Sequence, residues 1–227
     1  MALMNEWAAR SIQPELLDTA AGADREASLR DLTRINRFLG GHRILRQLLG
    51  GLARRNDAFT VLDVGAASGD MSRAVLRAFP RASVVCFDLS PSHLAAAPRP
   101  CIAGDAFLLP FAPRSFDFVF SSLFLHHFEN ARVTGLLKGF GAIAKNAVLA
   151  IDLERGPLGY HFLPATRWLF GWNRVTLHDG PVSVQAGFRR GELLDLAHSA
   201  GLARARVRRH DPWCRLSLLA PVGQGLE

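Results

Sequence analysis

From residue 59 onward, apolar and polar positions follow two alternating rhythms. Short runs rich in Val, Leu, Phe and Ala end in an acid or a serine. Each is followed by a stretch whose apolar residues recur every three or four positions. The first pattern predicts buried strands and the second amphipathic helices. Strands are predicted from Thr60 into Asp63-Val64, over Ser83–Asp88, near Cys101–Ala103, over Phe116–Ser121 and over Ala147–Asp152. Helices are predicted at Met71–Phe79 and near Ala131–Ala144. A further helix is expected near Gly191–Ala200, then strands near Leu202–Arg208 and Trp213–Leu219, with a turn at Arg208–Asp211 that lets the last strand pair antiparallel. Such alternation calls for an α/β fold: a seven-stranded, mostly parallel sheet with an antiparallel last strand and helices on both faces.

Two regions break the rhythm. Before about Arg54 the pattern is helical, with a short piece around Pro14–Thr19 and a longer one from about Arg25 to Leu49. Leu29, Leu32, Ile35, Phe38 and Leu39 form one apolar stripe there, and Gly40-Gly41 and Gly50-Gly51 mark breaks. Residues 1–54 therefore read as an N-terminal helical cap, which either packs on the sheet or covers a site, and residues 55–227 as the main domain. The second region, 153–187, reads as an irregular insertion. It holds repeated glycine and proline breaks and the aromatics Tyr160, Phe162, Trp168, Phe170 and Trp172. These aromatics either wall a pocket for a flat apolar molecule or anchor a long connection to the sheet.

The chemistry concentrates where the first strand ends, at Asp63-Val64-Gly65-Ala66-Ala67-Ser68-Gly69-Asp70. A strand, a glycine-bearing turn and a helix start form the crossing at which open α/β sheets bind nucleotide-like ligands. A dinucleotide loop needs Gly-x-Gly-x-x-Gly so that backbone amides can approach a pyrophosphate. Here Ala67 and Asp70 occupy the second and third glycine positions. A carboxylate at the mouth of the helix repels phosphate and suits a ligand with a cationic end, such as S-adenosylmethionine (SAM). Asp88 ends the second strand nineteen residues past Gly69, where an acid can accept from both ribose hydroxyls.

With Gly104-Asp105-Ala106 after the third strand and Leu125-His126-His127-Phe128 after the fourth, the chain resembles a class I SAM-dependent methyltransferase over roughly Thr60 to Ala220. Many members carry a middle glycine where this chain has Ala67. Asp31–Asn36, Asp152–Arg155 and His178–Val184 resemble a bacterial small-molecule subgroup, of the methyltransferase type 11 and 12 kind, linked to specialised metabolism of aromatic or polyketide-type compounds. The resemblance implies a Rossmann-like fold and SAM as cofactor, with S-adenosylhomocysteine (SAH) as product. It also implies a cofactor site of Asp63, Gly65, Ala67, Gly69, Asp88, Leu89, Asp105, Ala106 and Ser121. In that site Asp63 fixes the loop or reaches the ammonium, Asp88 holds the ribose, Asp105 accepts from the adenine amino group, and Leu89 packs on the base.

Methyl transfer from a sulfonium is an in-line displacement, so a protein mainly positions the reactants and excludes water. O-methylation of a small hydrophobic acceptor is the leading expectation, with a neutral histidine to take the hydroxyl proton. His126, His127, His161 and His178 are candidates. His178 sits beside Asp179 in what reads as a turn, and the His126-His127 pair is open to a structural role. C- or N-methylation of a similar molecule needs less help from a base and stays open. An RNA methyltransferase and a non-catalytic SAM-binding protein are further alternatives. Amino-methylating nucleic-acid enzymes commonly place an Asp/Asn-Pro-Pro-aromatic motif where this chain has Ser121-Ser122-Leu123-Phe124.

Composition adds limits. The net charge of +7 is carried almost wholly by arginine, lysine occurring only at Lys138 and Lys145. The densest cluster, Arg204 to Arg209, alternates with apolar residues like a solvated strand face and lacks the interleaved aromatics of a base-stacking platform, so no nucleic-acid partner is expected. Cys86, Cys101 and Cys214 show no metal-ligand spacing, and no metal is expected. No apolar run is long enough to span a bilayer and the N-terminus reads as lacking a signal peptide, which points to the cytoplasm. The oligomeric state is not legible.

Overall fold

The computed structural model describes Trp7 and residues 9–223; residues 1–6, 8 and 224–227 of the expected cap and main domain lie outside the described residues. Seven strands form one sheet in the order β3-β2-β1-β4-β5-β7-β6. They are β1 (Thr60–Val64), β2 (Ser83–Asp88), β3 (Cys101–Ala103), β4 (Phe116–Ser122), β5 (Ala144–Leu153), β6 (Arg206–His210) and β7 (Arg215–Pro221). The first five pair in parallel, and β7 runs antiparallel between β5 and β6. Among the described residues there are seven α-helices: α1 (Gly22–Phe38), α2 (Gly41–Gly50), α3 (Asp70–Ala78), α4 (Asn130–Ile143), α5 (Pro157–Phe170), α6 (Arg174–Ala186) and α7 (Arg190–Ser199).

Side-chain alternation along the strands gives the sheet two apolar faces. Val61, Phe118, Phe120 and Leu149 meet Ile44 and Leu45 of α2 and Met71 and Val75 of α3. Leu62, Val119 and Val148 meet Leu137 and Phe140 of α4 and Leu193 of α7 on the other face. A β-strand buried on both sides must be apolar at almost every position, which is why these segments read as continuous runs. The remaining helices, α1, α5 and α6, pack on one another beyond the strand ends, around Ile35, Leu163 and Trp172.

The break expected at Gly40-Gly41 divides the N-terminal helical stretch into α1 and α2: Gly40 turns the chain at φ +81°, and a β-carbon there would lie 2.6 Å from the Trp213 ring. Two sequence expectations need correction. The irregular insertion is largely helical. Pro157 occupies the first turn of α5, where no amide donor is needed, Gly171 ends it at φ +61°, and Asn173 caps α6 by accepting from the Val175 amide at 2.8 Å. Pro164 and Pro181 sit inside these helices, whose packing on α1 outweighs the local proline penalty. Lastly, β6 continues to His210, opposite Arg215, so the chain reverses at residues 211–214 rather than at Arg208–Asp211.

Candidate active site

A cavity of about 1120 Å³ lies over the C-terminal ends of β1, β2, β4 and β5, roofed by α1, α5, α6 and the segment before α1. Its two halves differ in chemistry, one lined by carboxylates and the other by aliphatic and aromatic side chains.

The acid-lined half is built on β1 and β2. β1 delivers the chain into a loop that requires left-handed backbone at Gly65, Ala67 and Gly69, with φ of +73°, +46° and +71°. A β-carbon on Gly65 would lie 2.4 Å from the Phe124 ring, so the approach of the loop to that ring depends on glycine. Asp88 ends β2 and ties the loop down, accepting from the amides of Ala67 and Ser90, each at 2.9 Å. Burial pushes its carboxyl up, but hydrogen bonding from His93 and those two amides more than offsets this and holds it below the usual range. Asp63 is almost fully buried and accepts from Ser72 Oγ at 2.6 Å. Burial pushes its carboxyl up to about 7; the Ser72 bond opposes this, while the nearby charges of Asp70 and Asp88 add to it. Asp70 opens α3, and His42 Nε2 lies 3.0 Å from both of its carboxylate oxygens. Asp105, exposed, accepts from the Phe107 amide at 2.9 Å, and Asp105, Ala106 and Leu89 all reach the cavity.

Gly69 and Ser121, both expected at the cofactor, do not line the cavity. Gly69 supports the loop from behind, where a β-carbon would lie 2.4 Å from Pro98. Ser121 is a correction: it pairs with Val64 and Ala150, and its side chain is buried on the α4 side of the sheet. Alternation gives the cavity-facing position to Ser122 instead.

The second half centres on a turn after β4, Leu125–His127. Asp152, at the end of β5, accepts from the amides of Phe124 (3.3 Å) and Leu125 (2.9 Å) and lies 2.7 Å from His126 Nδ1. Glu15 arrives from the segment before α1; its Oε1 lies 3.5 Å from His126 Nε2 and 3.9 Å from His127 Nδ1, and it accepts from Ser183 of α6. Burial alone would lower the His126 pKa, but Asp152 and then Glu15 reverse this and raise it to about 9. His126 is therefore an imidazolium at neutral pH, held between two carboxylates. His127 stacks on it at 4.4 Å with an interplanar angle of 26°. Burial and the His126 charge lower the His127 pKa, so its ring is neutral, and 29% of its side chain remains exposed.

Glu15, His126 and His127 bring three potential metal-ligand atoms within 4.8 Å of one another, a cluster that spacing along the chain does not reveal. With His126 protonated between Asp152 and Glu15, the cluster as it stands is an ion-pair network.

The structure does not bring His178 or His161 to the cavity. His178 lies on α6 with half its side chain exposed and contacts Asp179 at 2.9 Å. Helical periodicity turns Asp179 inward instead. There it accepts from the amides of Leu16 and Leu17 at 2.8 and 2.9 Å, fixing the segment that carries Glu15. Sequence reasoning missed Glu15, Asp152, Asp179 and Ser122 as site residues. One signal was present: Asp152 ends a parallel strand as Asp63 and Asp88 do, and such ends converge on the ligand crevice. Nothing in the sequence linked Glu15 to His126.

Residues 61–147 match the family described as a methyltransferase domain. The malonyl-[acyl-carrier protein] O-methyltransferase of Halorhodospira halophila is 40% identical over 78 residues, 31% of this chain and 26% of that protein. Solved structures with the same fold include an O-methyltransferase family protein from Burkholderia thailandensis (20% identity, TM-score 0.65, 89% of this chain and 60% of that one). Human N-acetylserotonin methyltransferase in complex with SAM is another (18% identity, TM-score 0.63, 89% of this chain and 57% of that one). The match thus spans about a quarter of the curated relative and three fifths of the Burkholderia protein. The donor set fits SAM, since acids at the ends of β1 and β2 and at the start of α3 suit a cationic ligand bearing a ribose.

Proposed function

We propose that this chain is a class I SAM-dependent methyltransferase that methylates oxygen on a small hydrophobic acceptor of aromatic or polyketide type. What carries the reading is His127, a neutral, partly exposed imidazole where the acid-lined crevice meets the apolar chamber. The chamber is lined by Leu29, Leu32 and Ile35 of α1, Phe162 and Leu163 of α5, and Val184 of α6. Residues 1–54 and 153–187 thereby serve as cap and acceptor wall. The three cysteines are unpaired, and among the described residues no helix is long and apolar enough to cross a membrane. We assign the reaction to the cytoplasm.

Bound SAM supplies an activated methyl group on a sulfonium, open to in-line attack. Asp88 would hold the ribose hydroxyls and Asp105 the adenine edge, and Leu89 and Ala106 would supply apolar surface for the base. The apolar chamber orients the acceptor and excludes water, which contributes to rate through positioning. His127 accepts the acceptor's hydroxyl proton, and the Glu15 carboxylate 3.9 Å away stabilises the imidazolium that forms. His126 does not serve as the base because it is already protonated, its Nδ1–H held by Asp152 and its charge balanced by Glu15. It keeps His127 neutral through like-charge repulsion.

The test is turnover of SAM to SAH with a panel of phenolic and enolic acceptors. His127→Ala is expected to lower kcat about 10²- to 10⁴-fold while SAH affinity is unchanged. Undiminished turnover in that variant, with methyl found on carbon or nitrogen, would remove the O-methylation reading.

A further inference from the structure

The α2–α3 face of the sheet carries three polar groups at its top: Asp63 on β1, Ser122 on the adjoining β4, and Arg215 on β7, which β5 separates from β4. Asp63 of β1 pairs with Phe120, Phe120 with Leu149, and Leu149 with Leu219, so these share a face. Two residues on from Phe120 is Ser122, opposite Ile151. Arg215 of β7, opposite Leu153, is the next position on that face. Asp63, Ser122 and Arg215 all line the same cavity.

Two of the three are incompletely bonded. Arg215 is 1% exposed, yet its guanidinium is fixed only by neutral acceptors. Nε donates to the Leu39 carbonyl at 3.0 Å and Nη2 to Asn36 Oδ1 at 3.2 Å, while Nη1 has no partner. Ser122 Oγ is also buried without a partner. A buried guanidinium without a bonded counter-ion is costly, as is a buried donor with no acceptor. Burial lowers the Arg215 pKa to about 10, against the more distant charges of Asp152 and Asp70, so the group stays cationic at neutral pH. A rigid cation and a free hydroxyl in the same cavity complement a carboxylate, and Asp63 and Asp70, across that cavity, complement an ammonium.

We propose that Arg215 anchors the carboxylate at the methionine end of the cofactor, with Ser122 Oγ as a second donor. This rests on the reading of the crevice as a SAM site. The same guanidinium chemistry suits a carboxylate on the acceptor, and the test separates the two sources.

Titration calorimetry with SAH and with 5′-methylthioadenosine, which has the same nucleoside and thioether but no amino-acid end, isolates the contact. Arg215→Gln is expected to weaken SAH about 10- to 100-fold and leave 5′-methylthioadenosine unchanged, the loss of one charge-assisted contact. Asn36→Asp keeps the guanidinium packed but gives it an internal carboxylate. It is expected to produce the same selective loss, which covers the case in which Arg215→Gln fails to fold. SAH affinity retained in Asn36→Asp, with a raised acceptor KM, would overturn the assignment in favour of an acceptor carboxylate. Equal weakening of both probes would overturn it in favour of a purely structural arginine. Wild-type protein that binds both probes equally well would sink the anchor alone; wild-type protein that binds neither would sink the cofactor reading with it.

Discussion

At the scale of single residues, the site is governed by which carboxylates have partners. Asp63 titrates near 7 when folded, against about 3.9 in an unfolded chain, so the unfolded state binds fewer protons between those values. Its contribution to stability is full below about pH 4 and is lost as pH rises through 7. Asp63→Asn is expected to flatten that part of a plot of urea midpoint against pH. His126 gives the complementary case. With a folded pKa of about 9, it stabilises fully below its unfolded value of about 6.5, and the benefit is lost as pH rises through 9. His127 carries the opposite shift, and its protonation sets the acid limb of kcat/KM below the ordinary histidine range. Removing the neighbouring charge in His126→Gln should move that limb to higher pH, whereas Glu15→Gln should move it lower. Backbone strain is equally local. Gly65→Ala would combine left-handed φ with overlap on Phe124 and should cost about 2–4 kcal/mol in urea denaturation and abolish SAH binding. Ala67 already bears a left-handed strain of about 1 kcal/mol, so Ala67→Gly should be near neutral, glycine's greater unfolded entropy offsetting the relief.

At the scale of elements, the segment before α1 behaves as a strap across the cavity. Arg10 ties it to the body by donating to the carbonyls of Ala186 and His126 and lying 4.0 Å over the Phe188 ring. Asp179 secures its other end through the Leu16 and Leu17 amides. Asp179→Ala should free those amides and release Glu15 from the histidine pair, at a local cost of about 2 kcal/mol. Hydrogen exchange would show faster exchange confined to the strap, and global slowing or no change would contradict this picture. The strands were legible to within a few residues because burial on both faces leaves no freedom of composition. Residues 153–187 were not. Glycine and proline marked breaks there, but Pro157 initiates a helix and Pro181 lies within one, and packing on α1 decides their state. That error carried His178 into the candidate list, because a turn leaves its side chain unassigned while a helix points it outward.

At the scale of the whole molecule, a ligand that binds the folded state alone raises stability by mass action. SAH at a hundred times its Kd should add about 2.7 kcal/mol, which for a chain of this size raises Tm by roughly 5–10 °C. The shift should vanish in Asp88→Ala, measured by scanning calorimetry. Over this scale local pattern alone was enough for the strands, the acid-bearing loop at Gly65 to Asp70 and the acid that ends β2, because these rest on local periodicity and on chain distances within one strand–helix–strand unit. Only the tertiary structure decided which histidine is charged, that Glu15 and Asp152 flank it, and that Ser122 rather than Ser121 faces the cavity. Protonation depends on burial and on groups distant in sequence, and the choice between adjacent residues depends on register.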